Sequence, residues 1–151
     1  MPRTIRFYGV HDDFGAFSNF APAPIRLKKK RWPTTEHYFQ AQKFQDARLQ
    51  EKIRKANSPM LAARMGRDRK NPLRRDWASV KVGVMRDAVR AKFEQHDDLA
   101  ALLLSTGDAV LVEHTERDAY WGDGGDGSGK NMLGRILMEI REELRLAQEW
   151  S

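Results

Sequence analysis

The stretch Trp121-Gly122-Asp123-Gly124-Gly125-Asp126-Gly127-Ser128-Gly129-Lys130-Asn131 gathers five glycines, two aspartates, an aromatic and a lysine just ahead of an amphipathic segment. Glycine offers no side-chain packing and loses the most conformational freedom on folding, so such density is expected where backbone turns sharply or approaches a ligand. The stretch reads as one wall of an active site. From Gly124 to Lys130 it has the spacing G-x-x-x-x-G-K of a triphosphate-binding loop. Asn131 stands where Ser or Thr belongs, however, and no strand ends directly before it. Asp123 and Asp126 do not follow the alternating oxygen ligands, closed by a glutamate, of a calcium loop. What remains is an anion site built from N–H groups around Gly127, Ser128 and Gly129 at the start of the last helix, or else an exposed Gly/Asp turn.

A second group that could do chemistry lies at about Thr35 to Phe44. On a helix, Glu36, Gln40 and Lys43 share one arc at i, i+4 and i+7, flanked by Phe39 and Phe44, with Tyr38 and Ala41 opposite. A helix apolar on its back and on both sides of a polar arc is mostly buried, so that arc must face a pocket or internal partners. Taken alone, Glu36 also fits a first-turn carboxylate at a helix start. Lys43 equally fits an ion pair with Glu36 or a point-charge contact to phosphate.

These groups are positioned by a chain of 151 residues, enough for one domain with its own core. No stretch approaches the length of a membrane helix and the N-terminus lacks the apolar core of a signal peptide, so a soluble, cytoplasmic protein is expected. The absence of cysteine removes disulfides, thiolate nucleophiles and Cys-ligated metals. His11, His37, His96 and His114 show no metal-ligand spacing, and neither a metal nor a cofactor is expected. The net charge of +6 implies attraction for anions. Basic residues cluster at Lys28 to Arg31 and Arg64 to Arg75, runs that also suit a solvated face.

Ile5 to Tyr8 and Ile25 to Leu27 predict short strands, and Pro33-Thr34 a helix start. Ser58-Pro59 predicts the cap and first turn of another helix, and Asn71-Pro72 a break. Val80, Val84, Ala88 and Ala91 repeat at helical spacing after Trp77. Asp97 is expected to cap a helix carrying Leu99, Leu102 and Leu103. Val110 to Val112 predicts a strand, and the final helix aligns Leu133, Ile136, Leu137, Ile140 and Leu144. The fold class is α+β, mainly helical, with residues 1–151 forming one domain.

Together the motifs carry a specific resemblance. Glu36-His37-Tyr38-Phe39-Gln40-Ala41-Gln42-Lys43-Phe44, then Trp121-Gly122-Asp123-Gly124-Gly125 and Gly129-Lys130-Asn131-x-Leu133-Gly134, resemble the NADAR family, also called YbiA-like. Phe17-Ser18-Asn19-Phe20 is similar to that family's opening. The resemblance implies a small α+β domain that hydrolyses N-glycosidic bonds of ribose. Its substrate would be a phosphorylated N-riboside: either a ribosylaminopyrimidine phosphate of riboflavin biosynthesis, or ADP-ribose on guanine, with ADP-ribosylated DNA as a partner.

By the same resemblance Glu36 would stabilise an oxocarbenium ion or activate water, and Asp123 would hold ribose hydroxyls or assist proton transfer. Lys43, beside Phe39 and Phe44, would attack C1 to form a Schiff base. Asn19, Gln40, Trp121 and Gly122 would bind substrate, Trp121 by stacking. Gly127, Ser128, Gly129, Lys130 and Asn131 would meet its phosphate or ribose, with Arg67, Arg74 and Arg75 as outlying candidates. The alternative is a non-catalytic module binding nucleic acid or ADP-ribose, with Trp32 or Trp77 stacking on bases. Carboxylates in the motif regions argue against it, because they would repel a phosphate backbone.

Overall fold

A computed structural model describes residues 2–150. Its backbone groups into two compact units, one of residues 19–92 and one that joins residues up to 18 to those from 93 onward. Among the described residues are six helices and four short strands, the mainly helical α+β architecture expected from sequence. No helix is long and apolar enough to cross a membrane.

Strand β1 (Thr4–Phe7) belongs to the discontinuous unit, and in the continuous one β2 (Ile25–Leu27) pairs antiparallel with β3 (Lys30–Trp32). Lys28 and Lys29 turn the chain between β2 and β3 with φ of 53° and 65°, as a two-residue hairpin with both central residues at positive φ requires. Half of the basic run Lys28 to Arg31 is thus a strand, and its Trp32 end is buried. The Trp32 indole donates to Leu27 O at 3.0 Å and meets Tyr38 edge-on at 5.2 Å between centroids.

Helix α1 (Thr35–Ala41) follows, with Thr34 as its cap, accepting from His37 N. It ends three residues earlier than its apolar pattern predicts. Lys43 N bonds Gln40 O and Phe44 N bonds Ala41 O, so the last turn tightens to i+3 bonding and Lys43 leaves the helix phase. Helix α2 (Ala47–Arg54), capped by Asp46, has no clear signal in the sequence. Helix α3 (Pro59–Arg67) starts on Ser58 and Pro59 as predicted, and α4 (Trp77–Gln95) is the long helix after the Asn71-Pro72 break.

The core of this unit joins Ile25, Trp32, Tyr38, Ala41, Phe44, Ile53, Ala62, Ala88 and Ala91. Burying each of its larger side chains is worth roughly 1.5–3 kcal/mol. His37 is the polar tie within it. Its ring Nε2 donates to Ala56 O at 3.0 Å while Nδ1 takes the Thr34 hydroxyl at 2.8 Å, an arrangement that fits a neutral ring.

In the other unit β1 lies parallel to β4 (Val110–Glu113), Thr4 opposite Val110 and Phe7 opposite Glu113. Phe17, in a single 3-10 turn at Gly15–Phe17, packs edge-on against Phe7 at 5.7 Å and also meets Phe93. Helix α5 (Asp97–Ser105) has His96, not the expected Asp97, at its N-cap position, with no side-chain capping bond. Asp97 and Asp98 fall in the first turn, where their charge complements the helix dipole. Helix α6 (Met132–Trp150) buries Leu133, Ile136, Leu137 and Ile140, and its buried Arg141 donates to Thr106 Oγ1 and Ala109 O beyond the end of α5.

Burial pushes the His37 pKa below 6.5, outweighing its bond to Ala56. The folded chain then resists a proton that the unfolded chain accepts, so this contribution to stability is intact above pH 6.5 and declines as pH falls below it. The melting temperature of the wild type should drop between about pH 7 and about pH 5 more steeply than that of His37→Gln, whose side chain cannot titrate. Parallel pH profiles for the two proteins would refute this.

Candidate active site

Asn19 fixes the start of α1. Its carbonyl accepts from Glu36 N at 3.2 Å and from the Thr35 hydroxyl at 3.3 Å. Its side-chain Oδ1 takes the same hydroxyl at 2.8 Å, and its amide approaches Met85 Sδ at 3.4 Å. A residue offered by the sequence as a substrate contact is thus engaged in positioning Glu36.

The Glu36 carboxylate is buried, with 7% of the residue exposed, and its Oε2 accepts from Gln40 Nε2 at 2.7 Å. A carboxylate only accepts, so the Gln40 amide must turn its NH2 toward Glu36. Its Oε1 then faces inward without a hydrogen-bond partner. Gly66 on α3 makes that possible, because a Cβ there would lie 1.9 Å from Oε1 and 2.8 Å from Cδ. An unbonded buried oxygen costs about 1–3 kcal/mol. The cost is borne where it holds the Glu36 carboxylate in one orientation.

Lys43 follows in the turn beyond α1. Its Nζ lies 5.7 Å from the centre of the Phe39 ring, and no hydrogen bond or ion pair holds it among the described residues. Burial pushes the ammonium below its ordinary 10.5; Glu36 acts in the opposite sense, while Arg67 and Lys81 reinforce the drop. More of the amine is therefore unprotonated at a given pH than for a solvated lysine. Arg67, by sequence an outlying phosphate candidate or part of a solvated basic run, belongs to this electrostatic neighbourhood. Lys81 is missing from the residues singled out by sequence. Its signal was the i+4 spacing from Trp77, whose ring packs on Phe39 at 5.2 Å. Arg74 touches the same turn through its backbone, Arg74 N donating to Lys43 O at 2.9 Å, while its guanidinium pairs with Asp76.

The glycine stretch, in the other unit, is tied together by its own polar groups. Asp118 Oδ1 accepts from Tyr120 N and Trp121 N, holding the half-buried Trp121 against Tyr120 with ring centroids 5.0 Å apart. Asp126 Oδ1 accepts from both the backbone and the hydroxyl of Ser128. Gly129, Lys130 and Asn131 donate their N–H groups to the carbonyls of Asp123, Ala119 and Gly122. Met132 and Leu133 donate theirs to Tyr120 and Trp121. The expected anion cradle at Ser128 and Gly129 is accordingly occupied by the loop itself. Gly127 is exposed, with φ of +86°. Asn131 bridges to β4, accepting from Glu113 N at 3.0 Å and donating to Leu111 O at 2.9 Å. Lys130 is exposed above the Tyr120 ring, 5.5 Å from its centre.

Asp123 is the best-anchored carboxylate of the loop, with 4% of the residue exposed. Its Oδ1 accepts from Thr115 N at 3.0 Å and Gly125 N at 2.9 Å, and its Oδ2 meets His114 Nδ1 at 2.7 Å. Burial alone would raise its pKa, but the bonds from His114, Gly125 and Thr115 outweigh it and hold the carboxyl below 3.8. Gly125 adopts φ of +90°, and a Cβ there would strike Glu116 Cγ at 2.5 Å, so this corner demands glycine. His114 is absent from the candidates that sequence supplies. Metal spacing was the wrong test for it; the useful signal was a titratable residue directly after the strand Val110 to Val112.

The NADAR domain model matches residues 6–145. The chain is 65% identical over 142 residues to N-glycosidase YbiA of Escherichia coli strain K12, covering 94% of this chain and 89% of that protein. It is 50% identical to a riboflavin biosynthesis protein of Vibrio vulnificus, covering 96% of this chain and 40% of that one. The NMR structure of the E. coli protein YbiA superimposes with a TM-score of 0.90 at 63% identity, covering 98% of this chain and 89% of that chain.

The Gly66–Gln40 contact has a measurable signature. Gly66→Ala should destabilise the protein by about 1–3 kcal/mol, because the added methyl must displace the Gln40 amide. In a Gln40→Ala background the same change should cost well under half as much, as denaturant unfolding of the four proteins would show. Additive costs would remove Gln40 as the group that Gly66 accommodates.

Proposed function

Because the chain belongs to the NADAR domain family, we propose that it is an N-glycosidase, a hydrolase that cleaves the N-ribosidic C–N bond of a phosphorylated N-riboside. The observation that supports this most directly is the pairing of a buried, oriented Glu36 with a lysine whose ammonium is destabilised by burial. Breaking a ribosyl C–N bond builds positive charge on C1 and negative charge on the departing nitrogen. Glu36 answers the first by stabilising the oxocarbenium ion or activating water. Lys43 attacks C1 as the free amine; the base departs with a proton, the opened sugar is held as an imine, and water releases it. Asp123 assists proton transfer, Trp121 stacks on sugar or base, and Asn19, Gln40 and Gly122 shape the surroundings. The exposed Lys130 ammonium is the proposed phosphate contact, beside the exposed Gly127; the N–H groups of Ser128 and Gly129 and the Asn131 side chain hold the loop's own shape. Arg67 and Lys81 add positive charge beside Lys43.

The favoured substrate is a ribosylaminopyrimidine 5′-phosphate intermediate of riboflavin biosynthesis, in keeping with the name of the Vibrio relative. ADP-ribose on guanine, in DNA or in a nucleotide, is the second reading. It is favoured by the exposed Arg64, Arg67, Arg69, Lys70 and Arg75, which suit an extended polyanion. The non-catalytic module would need aromatic platforms, but Trp32 is 2% exposed and Trp77 packs on Phe39.

Sugar release should be measured in parallel from a ribosylaminopyrimidine phosphate and a guanine-ADP-ribosylated oligonucleotide. Glu36→Gln should slow release by about 100-fold or more, and borohydride added during turnover should trap a sugar on Lys43. Full turnover without that adduct removes the covalent step. Release from neither substrate by folded wild type removes the glycosidase reading. The rate should also rise with pH as Lys43 loses its proton, reaching its plateau below the ordinary lysine range of about 10.5. A rate independent of pH up to that range excludes a free-amine nucleophile.

A further inference from the structure

We infer that His114 is a catalytic proton carrier of the glycine stretch, with Asp123 as the residue that positions it. This rests on the N-glycosidase reading and extends it to a residue that the motifs do not include. Asp123 Oδ2 and His114 Nδ1 are 2.7 Å apart, and Asp123 Oδ1 is already committed to two backbone N–H groups. An ionised carboxylate cannot donate, so Nδ1 carries the hydrogen and Nε2 is the nitrogen that exchanges protons.

The access of the two groups differs in the sense that this division of labour requires. The Asp123 side chain is 6% exposed, whereas that of His114 is 48% exposed. Among the described residues none hydrogen-bonds Nε2. The backbone on each side is fixed: His114 N donates to Phe7 O at 2.9 Å, Glu113 N to Asn131 Oδ1 and Thr115 N to Asp123. The imidazole therefore stands on a rigid strand end, with one nitrogen anchored to a buried anion and the other open.

The balance is simple. As the C1–N bond breaks, its electron pair passes to the departing nitrogen, which takes the proton from His114 Nε2. Water then adds to C1 of the Lys43 imine, the C1–Nζ bond breaks to free the amine, and the proton left over restores the imidazolium. An aromatic amine leaves poorly as an anion, so this proton is needed where the leaving group is a base nitrogen and not where it is a nitrophenolate.

The test compares ribosylaminopyrimidine phosphate with a nitrophenyl riboside phosphate. In His114→Ala, kcat on the amine substrate should fall about 100-fold or more with KM within about threefold, added imidazole should restore part of it, and the nitrophenyl rate should be largely kept. His114→Gln, which can still donate to Asp123, should match wild type in melting temperature and share the loss. An equal loss on both substrates without imidazole rescue makes His114 structural and overturns the inference. So does a His114→Ala enzyme as active as wild type. A wild type that releases no sugar from the amine substrate overturns the N-glycosidase reading, and this inference with it.

Discussion

Every residue of α1 from Thr35 to Ala41 is buried, including Glu36, His37 and Gln40. Polar groups taken out of water must find partners or impose a cost of several kcal/mol, and a carboxylate costs more than an amide. Much of the continuous unit is arranged to meet that demand. Thr34 and Ala56 serve His37, Asn19 serves Thr35 and the backbone of Glu36, and Gln40 serves the Glu36 carboxylate. Among the buried side-chain atoms of the described residues, only Gln40 Oε1 goes without a partner, and the bare Cα of Gly66 leaves room for it. A helix this short has little intrinsic stability, so it persists because its neighbours hold it.

The glycine stretch solves a different problem. It has no helix or strand from Thr115 to Asn131, so its backbone needs partners of its own. Asp118, Asp123 and Asp126 supply them as local acceptors, and the N–H groups at the start of α6 are absorbed by carbonyls of the same loop. The acidic residues that suggest chemistry from sequence are first of all turn-makers. What they present outward is an indole, Trp121, and an imidazole, His114.

Much of the fold was legible because its punctuation is local. Ser58-Pro59, Asn71-Pro72 and Thr34 act through their own backbone preferences, and α4 and α6 carry sustained helical repeats. Helix α2 was not, because Ala47–Arg54 has only Leu49 and Ile53 as large apolar residues among charged ones. Strand β3 was hidden because Lys30-Arg31-Trp32 reads as a basic run and becomes a strand through its pairing with β2. At the site, residue type and spacing located Glu36, Gln40 and Lys43 but not what holds them. The Gly66 and Lys81 contributions come from α3 and α4, and no pattern in a single segment records them. For the same reason Asp123 was visible as a carboxylate and invisible as a support for His114.

The parallel pairing of β1 with β4 joins Thr4 to Val110, more than a hundred residues later. A ribosome extends a chain at about 5–20 residues per second, so the first strand exists for seconds before its partner does. The continuous unit of residues 19–92 has no such wait, since its hairpin and helices are all made in one run. During that interval β1 offers an unpaired edge with Ile5 and Phe7 uncovered, a template for wrong pairings between nascent chains. Arg3, beside that strand, and Arg6, within it, give the edge positive charge of the kind that disfavours pairing with a second copy.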